Sequence, residues 1–235
     1  MKKHYTYEKE FNMVDKEGNK YSLEVFQDDF ADNPRDWDNV STIWCWKKGY
    51  KIGDEVNGDI YENLEDLCRK YTDMSEDKIL DSDISNMLSE LQKSDNLVII
   101  PINCYDHSGI SISTSSGFPY NDRWDGGMIG FAFIDKDTVS KNFINFNEVD
   151  WKERAKKIID GEVETLNQYI DGDVYRYNLF ERVIKQELCP HCNEVIKEYE
   201  TTNLIDSCGG FYGDCLEENG ILDNIKPLEF EEEVE

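Results

Sequence analysis

Positive charge is what this chain has least of. Its 235 residues carry 25 Lys and Arg against 51 Asp and Glu, a formal net charge of −26. Free nucleic acid is bound chiefly by Lys and Arg that neutralise phosphates, so direct nucleic-acid binding is not expected. The balance fits a protein whose acidic surface occupies the basic groove of a nucleic-acid-binding partner and is steered there by the same field. The plainer reading is that the acids serve solubility, which net charge argues most directly. Long apolar runs are missing too. The longest candidate, Leu97–Pro101, is strand-sized, so no membrane span is expected. The start Met1-Lys2-Lys3-His4-Tyr5 leads into charged residues and no apolar core, so no secretory leader is expected and the expected location is the cytoplasm. In that reducing compartment the seven Cys read as thiols or metal ligands rather than disulfides. Histidine is scarce at three, and there is no glycine-rich phosphate loop, zinc-protease helix motif or internal repeat, which speaks against an enzyme more than for one.

What is present is enough apolar and aromatic material to fold: 39% hydrophobic residues, including thirteen Tyr, eleven Phe and five Trp. A disordered acidic chain would lack the apolar area to offset ordering entropy. The length suits a single domain over 1–235, with a small knuckle-like insertion at 185–201 and an acidic mobile tail at 227–235. Strands are expected at 4–14 and 20–27, as a hairpin, at 41–46, and as core strands at 96–104 and 127–135. Clustered Asp, Asn and Pro over 32–39 mark a loop. Apolar residues at i, i+3, i+4 spacing predict helices over 61–71 (Leu64, Leu67, Cys68) and over 76–93, the latter capped by Ser75 with a stripe of Leu80, Ile84, Met87, Leu88 and Leu91. A long helix is expected over 148–170, its stripe starting at Val149, and a short one over 214–225. Strands at 174–184 and 195–201 would pair around Cys189-Pro190-His191-Cys192. The class is α+β: a mainly antiparallel sheet with flanking helices and a small C-terminal cysteine-containing hairpin.

Three groups of residues could carry function. Cys189 and Cys192 are two thiols at zinc-knuckle spacing, and Cys208 and Cys215 could complete four ligands of a structural zinc, although six residues separate that second pair where a zinc ribbon repeats the tight knuckle. The alternative for this motif is a tight turn with two free thiols. Asp106, His107 and Ser108, with Arg123, Trp124 and Asp125, could bind or hydrolyse a small nucleotide-like ligand; the alternative is a His that orients a Ser/Gly-rich loop, since catalytic triads are assembled from distant positions by geometry. The acids Asp77, Asp81, Asp83 and Glu90 of the 76–93 helix, with Glu217, Glu218, Glu229, Glu231, Glu232 and Glu233 near the C-terminus, could form a phosphate-like track. Acids on a helix are otherwise a solvated face.

The segments Asn33-Pro34-Arg35-Asp36-Trp37-Asp38-Asn39, Tyr50-Lys51-Ile52-Gly53-Asp54, Tyr105-Asp106-His107-Ser108-Gly109-Ile110, Trp124-Asp125-Gly126-Gly127 and Asp206-Ser207-Cys208-Gly209-Gly210-Phe211-Tyr212-Gly213 resemble a family of small proteins encoded by phages and mobile elements of Gram-positive bacteria. Gly209 stands where members of that family often have Trp, and the acidic helical stretch over 61–95 is longer here. The resemblance implies context rather than catalytic roles: an accessory protein in the cytoplasm of a bacterial host. Small, acidic phage proteins include nucleic-acid mimics that block restriction or CRISPR-type nucleases, so the expected partner is a host nucleic-acid-binding defence protein.

Overall fold

The computed structural model describes residues 9–47, 49–117, 119–143, 147 and 149–230. In chain order the elements are β1 (Lys9–Val14), β2 (Lys20–Gln27), β3 (Thr42–Cys45), α1 (Ile60–Tyr71), α2 (Glu76–Leu80), α3 (Ile84–Leu91), β4 (Leu97–Asp106), β5 (Ile110–Ser113), β6 (Gly126–Asp135), α4 (Lys136–Asn142), α5 (Trp151–Asp171), β7 (Val174–Leu188), β8 (Val195–Tyr212), α6 (Ile221–Asn224) and β9 (Glu229–Phe230). They build two antiparallel sheets, ordered β8-β7-β2-β1-β9 and β3-β6-β4-β5, so the class is α+β. The chain forms two compact units. One contains residues up to Asp32 and from Gly172 onward; the other is Asn33–Asp171. In sequence, the second is inserted between β2 and β7, which pair from Lys20↔Arg182 to Gln27↔Tyr175.

The five-stranded unit starts from a tight hairpin. The Asp15 carboxylate accepts the N–H groups of Glu17 and Asn19, each at 2.9 Å, and shapes the turn between β1 and β2. Strand alternation then sends Leu23 and Val25 inward beside Met13 and, from β7, Tyr175, Tyr177 and Leu179. Phe211, Leu216, Ile221 and Ile225 complete that core. The Tyr177 hydroxyl donates to Asp206 at 2.6 Å; burial and that bond together hold its phenol well above the usual range. The helix expected over 214–225 shrinks to the single turn of α6. Asn219 instead donates its side-chain amide to the Gly213 carbonyl and accepts from the Ile221 N–H, which fixes a loop up to that point.

The inserted unit is a three-layer stack. In β4, Val98, Ile102 and Cys104 face one side while Leu97 and Ile99 face the other, so the run is apolar throughout because both faces are covered. α5 covers the first face with Ala155, Ile159, Val163 and Leu166. α1, α2 and α3 cover the second with Leu64, Cys68, Ile79, Met87, Leu88 and Leu91, around Phe131. Strand β6 and the edge strand β3 approach closely: a Cβ on Gly130 would lie 2.2 Å from the Trp44 carbonyl oxygen of β3.

Several expected boundaries change here. The helix over 76–93 is two helices, α2 and α3, broken at Asp81–Asp83. Asp83 caps the second by accepting the Asn86 N–H at 2.8 Å, whereas Ser75 makes no side-chain cap to the first. The break rotates the stripe, so Ile79 is buried and Leu80 is 57% exposed. The long helix begins at Trp151, leaving Val149 exposed before it. Ile110–Ser113 is a strand, not loop, because Ile110 and Ile112 alternate into the core. The cysteine-containing hairpin is not small: β7 and β8 run 15 and 18 residues.

Candidate functional site

Three of the four helix acids fall around one groove of about 880 Å³ in the inserted unit. Asp77 lies in the first turn of α2, Asp81 caps its C-terminal end, and Glu90 lies on α3; all three line the groove, together with Asp73 and Asp95. Lys70, Lys78 and Lys93 line it as well. Two of these charges are compensated locally, Glu90 by Lys93 at 2.7 Å and Asp95 by Lys152 at 3.1 Å. Asp73, Asp77 and Asp81 make no ion pair among the described residues, so their charge is available to a partner. Asp83 lies outside this groove and holds the α3 cap. Glu217, Glu218 and Glu229 belong to the other unit, where Glu217 accepts from the Cys215 thiol at 3.2 Å and Glu229 pairs with Val14. Glu231, Glu232 and Glu233 lie outside the described residues.

The second group gathers where β4, β5 and β6 end. The Asp106 N–H donates to the Asp125 carbonyl at 2.8 Å, and His107 Nδ1 lies 3.0 Å from Asp125 Oδ2. The His107 ring stacks on Tyr105. Lys47 binds Asp106 Oδ2 at 2.8 Å, and that bond raises the lysine's pKa above its ordinary value. Asp122 accepts the N–H groups of Asp125 and Trp124 at 3.0 and 2.8 Å, which hold its carboxyl below the usual range and set the turn leading into β6. Ser108 takes a left-handed φ of 63° at the tip of the β4–β5 turn, and no hydrogen bond joins it to His107 among the described residues. The cluster is therefore a His–Asp pair beside a Lys–Asp pair, without a nucleophile in line. Arg123 is exposed, and Trp124, 89% exposed, offers an open aromatic face beside the pair.

The four cysteines are not brought together. Cys189 and Cys192 sit in the turn between β7 and β8. Cys208 is paired with Tyr177, eleven residues of β7 back from Leu188 at the hairpin's end, or about 36 Å at ~3.3 Å per residue. Cys215 is in the loop that follows β8. Among the described residues no group of three or more Cys, His, Asp or Glu side chains is arranged around a metal position. Within the turn, the neighbouring His191 and Cys192 backbone N–H groups lower the Cys189 pKa, and the Cys192 thiol donates to Glu194 at 3.6 Å.

The most tightly held ionic site of the inserted unit was not among the sequence candidates. Arg35, with a side chain only 4% exposed, forms a fork with Asp54: Nε to Oδ1 at 2.9 Å and Nη2 to Oδ2 at 2.8 Å. Its Nη1 donates to Glu162 of α5 at 3.0 Å and its Nη2 to the Ser41 carbonyl at 2.7 Å. The acids are themselves saturated. Asp54 accepts the Ile43 N–H at 2.8 Å, and Glu162 accepts the Val40 N–H at 2.8 Å and the Ser41 hydroxyl. Gly53 is required beside it: its φ is +83°, and a Cβ there would lie 2.6 Å from the Ile43 carbonyl oxygen. The network ties the Asn33–Asn39 and Tyr50–Asp54 segments to α5. A local reading could have flagged Glu162, a carboxylate in the same i, i+4 row as Ile158 and Leu166.

No family model, no curated protein and no solved structure matches this chain.

Proposed function

We propose that the protein is an acidic inhibitor that occupies the nucleic-acid-binding surface of a host defence protein of restriction or CRISPR type. The observation that supports this reading is the convergence of Asp73, Asp77 and Asp81 on one groove with no ion pair among the described residues, in a chain of net charge −26. Carboxylates spaced along short helices present a row of negative charge to a basic partner, and complementary potentials speed association and set register more than they raise affinity. Asp83 is left out of the contact set because the α3 cap uses it. The test is retention of a partner from lysate of defence-carrying bacteria on the tagged protein, eluted by salt and by added DNA or RNA. Joint reversal of Asp73, Asp77 and Asp81 to Lys should abolish retention while far-UV circular dichroism stays unchanged. Undiminished retention by that folded variant would sink the reading.

A second reading rests on the His107–Asp125 pair beside exposed Trp124: binding or hydrolysis of a small nucleotide-like ligand, with Asp106, Ser108 and Arg123 around it. Arg123 supplies the one side-chain cation that an anionic ligand would need. Under this reading His107→Ala alone abolishes function, and the triple charge reversal leaves it intact.

A further inference from the structure

β2 stops pairing with β7 at Arg182, and beyond it β7 and β8 pair only with each other among the described residues. From Val183 to Leu188 they form a ribbon about 20 Å long at ~3.3 Å per residue. A two-stranded ribbon alone is marginally stable in water, and its edges carry unpaired backbone groups. This one also leaves aliphatic side chains in solvent: Ile184 is 71% exposed, Ile196 61%, and Leu188 and Val195 48% each. Such a projection is what an unpartnered docking arm looks like.

Its tip carries half of a metal site. The turn is closed by the Cys189 N–H to the Glu194 carbonyl at 2.8 Å and the Asn193 N–H to the Cys189 carbonyl at 2.9 Å, with Asn193 in the left-handed region at φ 58°. This folds Cys189 and Cys192 onto one short turn, where the Cys192 thiol donates to Glu194 Oε2 at 3.6 Å. Two thiols on one turn are a knuckle that needs two more soft ligands to complete a tetrahedron. Among the described residues no third Cys, His, Asp or Glu is arranged with them around a metal position.

We propose that this ribbon is a homodimerisation arm, and that Cys189 and Cys192 of two copies together hold one zinc ion in a four-sulfur site. A two-fold contact brings the same pair of thiols twice, so the tetrahedron closes with no other ligand. Residues 183–200 carry Lys185 and Lys197 against Glu187, Glu194, Glu198 and Glu200, no more acidic per residue than the rest of the chain, and Glu200 is paired with Arg182 of the same ribbon. The exposed Ile184, Leu188, Val195 and Ile196 would be buried by the same contact. Zinc is the metal that tetrahedral thiolate sets select most commonly.

The experiment is light-scattering mass and elemental zinc measured together on the full chain purified with Zn(II) present, then repeated after a strong chelator. The expected result is a dimer with one zinc per two chains that becomes a monomer on chelation. Cys192→Ser should lose both the zinc and the dimer, Ile196→Asp should lose most of the dimer, and Cys208→Ser should keep both. Circular dichroism of each variant should match the parent, since the tip lies outside both cores. Substitution with Co(II) should give the intense visible bands of a tetrahedral thiolate site in the dimer fraction only. A zinc-free parent, one zinc per chain in a monomer, zinc retained by Cys192→Ser, or a dimer indifferent to the chelator would each overturn the proposal.

Discussion

At the scale of single residues, the Arg35 fork shows what type of side chain the inserted unit depends on. A guanidinium meets a carboxylate through two parallel N–H donors and still has donors left for Glu162 and the Ser41 carbonyl. An ammonium cannot reproduce that geometry. Removing one partner of a buried pair strands the others, at a cost of about 3–5 kcal/mol. Arg35→Ala should therefore lower unfolding stability in urea by about that amount, and Arg35→Lys should recover only part of it. Parental stability in Arg35→Lys would show that charge alone suffices. The network was not legible in the sequence because its members are separated by 19 and 127 residues, and nothing near Arg35 distinguishes it from a solvated basic residue. The His107–Asp125 pair was legible, since both ends lie in short segments rich in polar residues and glycine that the chain order already sets beside core strands.

At the scale of elements, the sequence was read well wherever one face is buried and poorly elsewhere. The β1–β2 hairpin, β4, β6 and α5 follow their apolar periodicity because a core enforces it. The sequence predicts only the first part of β8, because most of its residues are exposed and no alternation marks them as strand. The break between α2 and α3 was hidden because the apolar residues continue across it, while Asp83 restarts the helix with a cap. The corrected register makes a clear prediction. Ile79→Ala, at a fully buried position, should cost about 2–5 kcal/mol in chemical denaturation. Leu80→Ala, one residue on, should stay within about 0.5 kcal/mol. Equal losses at the two positions would restore the continuous helix.

At the scale of the whole molecule, the dominant fact is uncompensated charge. Like charges repel in the compact state, and salt screens them over about 8–10 Å at moderate ionic strength. Raising NaCl from 10 mM to 0.5 M should therefore raise the melting temperature, by roughly 2–4 °C for each kcal/mol of repulsion relieved in a chain of this size. Scanning calorimetry across that series checks it. A flat response would mean that local pairs such as Arg69 with Glu65, Asp66 and Glu76 already neutralise the surface where it matters. Under the proposed function, the same salt that stabilises the protein should weaken an acidic contact with a basic partner, so stability and partner retention should move in opposite directions.

The insertion of Asn33–Asp171 between two neighbouring strands also sets a timetable for synthesis. β1 and β2 leave the ribosome first, but the strand that completes their sheet begins at Val174, some 147 positions after Gln27. At ordinary elongation rates of about 5–20 residues per second, that wait is on the order of 7–30 seconds. Throughout it the inserted unit is emerging as one uninterrupted stretch, free to fold as it is made, while Met13, Leu23 and Val25 lack the covering strand. A nascent chain stalled as β7 emerges, once Asp171 has cleared the ribosome, would thus hold a finished module behind an open hairpin. The early hairpin, rather than the larger inserted core, should therefore be the part of this protein that gains most from chaperone cover while it is being made.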